Sequence, residues 1–366
     1  MHLICNREIL QKYITYADKV TGKNLSLPIL NSILLSTNKK TLIIRATNLE
    51  VGVEFQIPAE IKTEGSVAIP GLLFANILST ISDEEVVTIQ SDNGICKINT
   101  KTKNLIIKGF IPDDFPTIPI IKDGEKFSIQ SQKFIQGIKS VFMSAATSDI
   151  KPEIASVYIT QNQESLVFVA TDSFRLAEKK IKQQNTHLSQ SIIIPIKNII
   201  EFIRIFEALN EEIVFIVNKN QISCVGKTIY ITSRVIQGVY PDYEQILPKR
   251  HTTEVVILKQ DLINTLKLSN LFSDKFNKIT FIIKPKEKTC TISTKNSDIG
   301  EIESHLTTTI SGESIEISLN VKHIFDCLNS IEKDSLTIEF SGADKPVVIR
   351  GLGDPSFTYL TMPLTR

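Results

Sequence analysis

Apolar and polar positions alternate along the chain in a pattern that occurs three times. The segment LIIRATNLEVGV (42–53) consists of a strand pattern, an Ala-Thr pair, an acid or its amide and a second strand pattern, and LVFVATDSFRLA (166–177) repeats it. Thr47 and Thr171 are therefore counterparts 124 residues apart, and CTISTKNSDIGEIE (290–303) places a third, Thr294, 123 residues further on. Short runs with this alternation predict β-hairpins.

The same interval recurs outside the hairpin. SILLST (32–37) matches SVYITQ (156–161) in its order of apolar and polar residues. Three longer segments, VAIPGLLFANIL, IIIPIKNIIEFI and ISLNVKHIFDCL, align through Pro70, Pro195 and Asn320, which follow one another at intervals of 125 residues. An ordered series of matches at one interval predicts three units of about 120 residues.

Each unit contains two helical patterns. Apolar residues three and four positions apart, such as Ile196, Ile199, Ile200 and Ile203, form the stripe that a helix buries. By this criterion, helices are predicted at 6–20, 71–80, 131–143, 196–209, 259–271 and 320–331.

The order of these elements defines the fold class. Pro70 and Pro195 suit the first turn of a helix, where the missing N–H costs nothing. Long strand runs with two helices per unit indicate an α+β fold with three repeated domains, antiparallel sheets and helices packed on one side. Stretches rich in proline and charge separate the units, which predicts domains at 1–121, 126–247 and 252–366.

The composition is that of a folded globular protein. The 366 residues are 42% hydrophobic and 22% charged, and no apolar run is long enough to span a membrane. The N-terminal segment predicts a strand that leads into a helix rather than a signal peptide. Five cysteines without a C-x-x-C pair indicate buried structural thiols in a reducing, cytoplasmic setting.

Candidate catalytic motifs do not withstand inspection. The Gly-Lys-Thr at 226–228 resembles the end of a phosphate-binding loop, but Gln221 stands where that loop requires glycine. The five histidines do not pair at metal-ligand spacing. Asp172 could be a catalytic acid, yet its counterpart Asn48 has no acid–base chemistry, so a turn-capping role is favoured. The sequence therefore predicts no enzyme, no metal and no cofactor.

Positive charge is slightly concentrated on the predicted helices. They carry ten Lys or Arg and six Asp or Glu, although the whole chain has a net charge of only +1. Pairs spaced by about two helical turns lie on three helices. A solvated helix face and a weak DNA contact both explain this pattern. The candidate DNA-facing residues are Lys12, Lys19, Lys197, Arg204, Lys259 and Lys267.

Two predicted edge strands carry opposite charge. KINTKTKNLIIK (97–108) contains four lysines and no acid, whereas NSDIGEIESH (296–305) contains three acids and no lysine or arginine. Charges on an edge strand prevent unwanted pairing. Opposite signs on two edges of one chain instead allow head-to-tail pairing between subunits, which must close into a ring or continue as a filament.

At this point the chain resembles the bacterial DNA polymerase III beta subunit family, the sliding clamps. The segments that carry the resemblance are SLPILNSILL (26–35), ATDSFRLA (170–177), YPDYEQILP (240–248) and YLTMPLTR (359–366). The family implies a homodimer of three-domain chains closed into a pseudo-sixfold ring, with helices lining the hole. Such a ring slides on double-stranded DNA without sequence preference, tethers polymerases and is not an enzyme.

The resemblance also implies a pocket for short peptides of the polymerase III alpha subunit, the clamp loader and other polymerases or repair proteins. Serine and phenylalanine replace the family's usual Gly and His at two positions of this pocket, and Gln245 replaces a basic residue. For Ile154, core packing and a role in the pocket are equally good explanations. The matching positions are Ile154, Thr171, Ser173, Phe174, Arg175, Leu176, Pro241, Ile246, Met362, Pro363 and Leu364.

The charged edges then become the expected dimer interface. An exposed apolar knob would supply most of the affinity, and the charges would fix the register. The residues predicted to meet there are Lys103 and Ile106 on one subunit, and Leu271, Phe272, Glu301 and Glu303 on the other. The alternative is a triplicated scaffold that binds protein partners without encircling DNA.

Overall fold

The computed structural model describes most of the chain. The described residues are 1–22, 27–183, 188–207 and 209–364. The first residue of the motif at 26–35 and the last two of the motif at 359–366 lie outside them.

The chain folds into two compact units. Unit 1 consists of Met1–Gln132 and Ile200–Gln237. Unit 2 consists of Lys133–Ile199 and Gly238–Arg366. Each unit contains two antiparallel sheets, so the predicted α+β class is confirmed.

Six α-helices occur among the described residues, at the six predicted places. They are α1 (Arg7–Val20), α2 (Gly71–Thr80), α3 (Ser131–Val141), α4 (Ile196–Phe206), α5 (Lys259–Leu271) and α6 (Val321–Leu328). Asn6 caps α1 by accepting a hydrogen bond from the Ile9 N–H at 3.0 Å, and Asn320 caps α6 through the Lys322 N–H at 2.9 Å. These side chains satisfy N–H groups that the first turn of a helix leaves unpaired.

Two details of the helix predictions were wrong. Pro70 and Pro195 end the strands before α2 and α4 instead of lying in the first helical turn. A fixed φ near −65° suits this position just before a helix equally well. On α4 the buried face is formed by Ile199, Phe202, Ile205 and Phe206, and the other isoleucines of the predicted stripe are half-buried.

Unit 1 contains an eight-stranded and a five-stranded sheet. The larger has the order β10-β15-β16-β17-β4-β3-β2-β6 and the smaller the order β5-β1-β7-β8-β9. The strands from the first part of the chain are β1 (His2–Asn6), β2 (Ser32–Asn38), β3 (Thr41–Thr47), β4 (Val51–Pro58), β5 (Glu60–Thr63), β6 (Ser66–Pro70), β7 (Val86–Asp92), β8 (Ile95–Asn99) and β9 (Asn104–Lys108). The others are β10 (Glu125–Gln130), β15 (Glu212–Val217), β16 (Gln221–Val225) and β17 (Ile229–Arg234).

Unit 2 contains a nine-stranded and a four-stranded sheet. Their orders are β14-β11-β12-β13-β26-β25-β24-β18-β22 and β21-β20-β19-β23. The strands are β11 (Ser156–Asn162), β12 (Ser165–Thr171), β13 (Arg175–Lys182), β14 (Ile192–Pro195), β18 (Thr253–Leu258), β19 (Lys278–Lys284), β20 (Thr289–Asn296), β21 (Gly300–Leu306), β22 (Thr308–Gly312), β23 (Ile315–Asn320), β24 (Ser335–Phe340), β25 (Val347–Gly351) and β26 (Phe357–Thr361).

The segment at 97–108 differs from its prediction. It forms not one strand but the hairpin β8–β9, with a turn at 100–103. The last strand, β9, is nevertheless an edge of its sheet, as is β21 in unit 2. Both predicted edges are therefore confirmed.

The three hairpins turn on the same kind of acceptor. Side-chain oxygens of Asn48, Asp172 and Asn296 accept the N–H two residues further on, at 2.9–3.0 Å. These acceptors are spaced by 124 residues each time. The third counterpart of Thr47 and Thr171 is therefore Lys295, and the assignment to Thr294 was one position early.

Each of the two large sheets combines strands from two consecutive repeats, and in both sheets the repeats are joined through strands at equivalent positions. In unit 1, β17 pairs with β4, and in unit 2, β26 pairs with β13. Both β4 and β13 are the second strand of the repeated hairpin, and β17 and β26 are the last strands of their repeats. The second strand of the third hairpin is β21, and the last strand of the first repeat is β9. These are the two edges that carry opposite charge.

All five cysteine side chains are buried. Burial raises the pKa of Cys5 and Cys96 to about 12, which keeps these thiols protonated and unreactive. Among the described residues there is no cluster of three potential metal ligands. In the same part of the chain, the helices are too short or too polar to cross a bilayer.

Candidate functional site

The turn between β12 and β13 contains or adjoins five of the predicted pocket residues, which are Thr171, Ser173, Phe174, Arg175 and Leu176. Asp172 Oδ1 accepts the Phe174 and Arg175 N–H groups at 2.9 and 3.0 Å. The Thr171 hydroxyl donates to the Arg175 carbonyl at 2.7 Å, and Ser173 adopts a left-handed φ of 78°. The turn therefore presents Phe174, whose side chain is 65% exposed, on a rigid backbone.

Arg175 connects this turn to helix α6. Its Nε donates to Asp172 Oδ2 at 2.9 Å, and a second guanidinium nitrogen pairs with Asp326. Burial acts to lower the pKa of Arg175, but its contacts with Asp326, Tyr359 and Asp172 outweigh that effect and raise it. Because hydrogen bonds between charged groups are stronger than those between neutral groups, this arrangement holds the turn in place.

The C-terminal segment runs beside the turn. Beyond β26, the Met362 N–H donates to the Phe174 carbonyl and the Leu364 N–H donates to the Ser318 carbonyl, both at 2.8 Å. Met362, Pro363 and Leu364 are each half-buried. The tail is thus docked along unit 2 through its backbone, which leaves the side chains partly accessible.

The YPDYEQI segment is anchored by its two tyrosines. Tyr240 stacks on Tyr158 with ring centroids 4.5 Å apart, and the Tyr243 hydroxyl donates to buried Glu178 at 2.8 Å. Pro241 and Ile246 remain exposed. The inward tyrosines therefore fix a short 3-10 turn at Tyr243–Ile246 whose other residues face solvent.

A cleft of about 530 Å³ lies between this turn and the tail. Three basic side chains, Lys249, Arg250 and Lys345, line it together with apolar ones. Its full lining is Gln245, Ile246, Leu247, Pro248, Lys249, Arg250, Ser341, Lys345, Pro346 and Met362. Apolar walls with convergent polar groups are typical of a binding site.

The predicted pocket residues fall into two groups. Thr171, Leu176 and Ile154 are only 6%, 0% and 8% exposed. The others lie at least partly at the surface, and they are Ser173, Phe174, Arg175, Pro241, Ile246, Met362, Pro363 and Leu364. Leu176 pairs with Leu360 in the sheet and supports the surface from below. Asp326, Tyr243 and Lys345 were missed by sequence reasoning, because nothing local indicates that they meet residues distant in the chain.

Replacing Asp172 by alanine should weaken unit 2 by about 1–3 kcal/mol in the free energy of unfolding, since the Phe174 and Arg175 N–H groups lose their carboxylate acceptor. The Arg175 pairing is lost as well. Asn48→Ala is the matched control, because it removes the same turn bonds in unit 1. Denaturant unfolding should show a cost for both variants, while peptide binding should fall only for Asp172→Ala. Equal peptide affinities would contradict the role of this turn.

The predicted interface residues of unit 2 lie together. Leu271 at the end of α5 is 67% exposed, and the Phe272 ring is within 3.9 Å of the position that a Cβ on Gly300 would occupy. Glu301 and Glu303 follow on edge strand β21 and are exposed. In unit 1, Ile106 on β9 is 70% exposed. Lys103, by contrast, pairs with Asp83 at 3.2 Å within its own unit.

The six candidate DNA-facing residues differ in availability. Lys12, Lys19 and Lys267 are exposed. Lys197 pairs with Asp149, and Arg204 pairs with Glu201 at 2.8 Å. Lys259 does not lie on an open helix face: it is half-buried, and its ammonium donates to the Ile331 carbonyl at 2.6 Å. Its ammonium is therefore less available to DNA than those of the exposed lysines, because it is held by the segment that follows α6.

Family models match the chain in three consecutive parts. The N-terminal domain of the DNA polymerase III beta subunit matches residues 1–119, the central domain residues 128–242 and the C-terminal domain residues 244–365. The chain belongs to the DNA polymerase III beta subunit family. The predicted resemblance and the three clamp-type domains are thereby confirmed.

Individual relatives match over their whole lengths. A beta sliding clamp of Synechocystis is 24% identical over 387 residues and covers all of this chain and 99% of its own. The crystal structure of the DNA polymerase III beta subunit of Thermotoga maritima has a TM-score of 0.94 at 23% identity, with 100% and 99% coverage. The crystal structure of the Bacillus subtilis sliding clamp has a TM-score of 0.94 at 22% identity, with the same coverage of the two chains.

Membership of the beta subunit family defines the class of function. The chain is a DNA sliding clamp of replication, a processivity factor and not an enzyme. This accounts for the absence of catalytic motifs noted in the sequence.

Proposed function

We propose that this clamp works as a head-to-tail homodimer that encircles duplex DNA. In this proposal the ring tethers the polymerase III alpha subunit, the clamp loader and other polymerases or repair proteins through the cleft of unit 2, in the cytoplasm. The three domains at 1–121, 126–247 and 252–366 would each supply one sixth of the ring.

One observation carries the proposal: the two free edges are the unpaired members of a repeated junction. The last strand of the second repeat pairs with the hairpin strand of the first, and the last strand of the third pairs with that of the second. Pairing β9 with β21 of a second subunit would complete the series. Such a contact is heterologous, and two of them close a dimer.

The register of this contact follows from the repeat. The turns before β9 and β17 are closed by the same bond, from Thr100 N–H to Lys103 and from Gly226 N–H to Ile229, each 2.9 Å long. Ile106 therefore corresponds to Thr232, which lies opposite Gly52 in the sheet.

The counterpart of Gly52 in the third hairpin is Glu301, because the paired residues there are Lys295 and Glu301. We infer that Ile106 lies opposite Glu301, and Asn104 opposite Glu303. Lys97, paired with Ile106, and Lys108 then share the face of the two acids, since alternate residues point the same way. These lysines, rather than Lys103, are in position to meet the acids.

Weak DNA contact suits this function. A ring that surrounds DNA is retained by topology, whereas many tight phosphate contacts would oppose sliding. Exposed Lys12, Lys19 and Lys267 on helices provide a modest positive surface.

The cleft suits a short extended peptide. Leu or Phe side chains of the peptide would contact Ile246 and Met362, while Lys249, Arg250 and Lys345 favour acidic residues beside them. The exposed Phe174 adds an aromatic contact at the edge of this surface.

Retention on DNA tests the ring. Protein loaded onto covalently closed circular DNA should remain bound and should leave when the DNA is cut once, because it slides off an end. Binding to short linear duplex should be weak, with a Kd of about 10⁻⁴ M or poorer at physiological salt. Gel filtration of the loaded DNA before and after cutting measures how much protein is retained on the circular and on the cut form. Equal retention on the two forms would indicate direct DNA binding and contradict encirclement, and no retention on either would favour the scaffold alternative.

A further inference from the structure

The turn that leads into edge strand β9 is held by a single carboxylate. Glu84 Oε1 accepts the Thr100 hydroxyl at 2.9 Å, the Thr102 hydroxyl at 2.6 Å and the Thr102 N–H at 3.2 Å. The Thr100 hydroxyl in turn accepts the Lys103 N–H at 3.0 Å. Three donors from one four-residue turn thus converge on one oxygen.

The backbone around Glu84 is fixed independently of this turn. The Arg7 guanidinium donates to the Glu84 carbonyl, and the Arg7 N–H donates to the Glu85 carbonyl, both at 2.9 Å. The Glu84 N–H donates to the Ile81 carbonyl just after α2 at 3.2 Å. Glu84 therefore connects the start of α1 and the end of α2 to the turn beside β9.

The charge of Glu84 suits this role. The residue is only 6% exposed. Hydrogen bonds from Thr102 and Thr100 lower the pKa of its carboxyl group below the usual range despite the opposing effect of burial, so it is ionised at neutral pH. Bonds to an ionised acceptor are stronger than neutral ones, and a buried carboxylate that lost them would be left unsatisfied.

The second repeat has a related but weaker arrangement. Glu211 Oε1 accepts the Lys227 N–H at 3.2 Å, in the turn before β17. The Ser131 N–H donates to the Glu211 carbonyl at 2.9 Å, as Arg7 does to Glu85, so the carboxylate is supplied one residue later than in the first repeat. There, β17 is held on its far side by β4. The free edge β9 has no such neighbour within its sheet and receives the larger number of bonds.

We propose that Glu84 is a positioning residue for ring closure: through Thr100 and Thr102 it holds β9 in the geometry that pairs with β21 of a second subunit. The inference rests on the proposed dimer. It assigns control of the closed state to a residue outside the interface itself.

The test measures the dimer dissociation constant of full-length variants. Glu84→Gln keeps the shape of the side chain but removes its charge, and we expect a rise of about 10- to 100-fold. Thr102→Val should raise the constant in the same direction, and Thr102→Ser, which restores the hydroxyl, should return it to the wild-type value. Asp83→Asn is the matched control, because it removes the charge of a neighbouring acid whose side chain is 67% exposed and pairs with Lys103.

Sedimentation velocity over a dilution series gives the constants, and circular dichroism checks that each variant is folded. Amide exchange at Thr102 and Lys103 should accelerate in Glu84→Gln, while β1 and β7 keep their protection. If Glu84→Gln does not fold, the Thr102 variants decide the question, since valine has the shape of threonine but lacks the hydroxyl that donates to Glu84, and serine keeps that hydroxyl.

Two failures can be told apart with Ile106→Asp as a reference. If that variant is monomeric while both Glu84→Gln and Thr102→Val dimerise like the wild type, the role of Glu84 is wrong and the ring stands. If Ile106→Asp still dimerises normally, pairing through β9 is itself wrong, and the proposed function fails with it.

Discussion

Replacing Ile106 and Leu271 together by aspartate should convert the dimer into folded monomers of 41.0 kDa. Both side chains are about two-thirds exposed in the single chain, so neither change disturbs its core. In the dimer, each aspartate would be buried at the contact, and the one at 106 would face Glu301. Two lost apolar contacts of hot-spot size predict a dimer dissociation constant at least about 10³-fold higher.

The matched control for this pair is Ile120→Asp with Leu352→Asp. These positions are 68% and 48% exposed, one in each unit, and they introduce the same charge away from the edge strands. Sedimentation at micromolar concentration should show dimers for the control and monomers for the interface variant. An interface variant that remains dimeric there would rule out this assignment of the contact.

Deleting residues 362–366 should abolish peptide capture and leave the fold and the dimer intact. The deletion begins after Thr361, the buried last residue of β26, so the sheet keeps its final pair with Val347. It removes Met362 from the cleft and Leu364 from its bond to Ser318. Fluorescence anisotropy with a labelled Gln-Leu-x-Leu-Phe peptide should show at least a 30-fold loss of affinity, roughly 2 kcal/mol.

A point variant separates the tail's side chains from its backbone. Met362→Ala keeps the N–H that donates to the Phe174 carbonyl but removes an apolar wall of the cleft. It should reproduce a large part of the loss, whereas Leu352→Ala, at the opposite end of the last hairpin, should bind like the wild type. Unchanged affinity of the truncated protein would show that the tail is not part of the site.

Local chemistry made much of the fold predictable from the sequence. The helices follow a period that only a helix satisfies, and two of them, α1 and α6, begin directly after Asn6 and Asn320, which cap them. The hairpin turn was predictable because Asn48 and Asp172, at equivalent positions of two repeats, each have a side-chain oxygen that can accept the backbone N–H groups of the turn. The free edges were predictable because a run of like charges is rarely tolerated inside a sheet.

Long-range partners could not be predicted in the same way. Arg175 and Asp326 are 151 residues apart, and no pattern near either indicates the pairing. Lys259 has the spacing of an exposed helix face, yet a nearby backbone carbonyl takes its ammonium. Lys103 belongs to a basic run, but Asp83 neutralises it within the unit. In each case the deciding group is brought close only by the tertiary fold.

The first two copies of the repeated turn differ at this position by a single side-chain atom, and the second copy uses that atom for an additional contact. Asn48 and Asp172 have the same shape, and both use one oxygen to close the backbone. Where Asn48 has an amide nitrogen, Asp172 has a second oxygen, and that atom receives Arg175. One copy of a repeated turn can therefore gain a new contact without a change of fold. Closing the turn requires only one of the two terminal atoms of this side chain, and the other atom is available for a different partner.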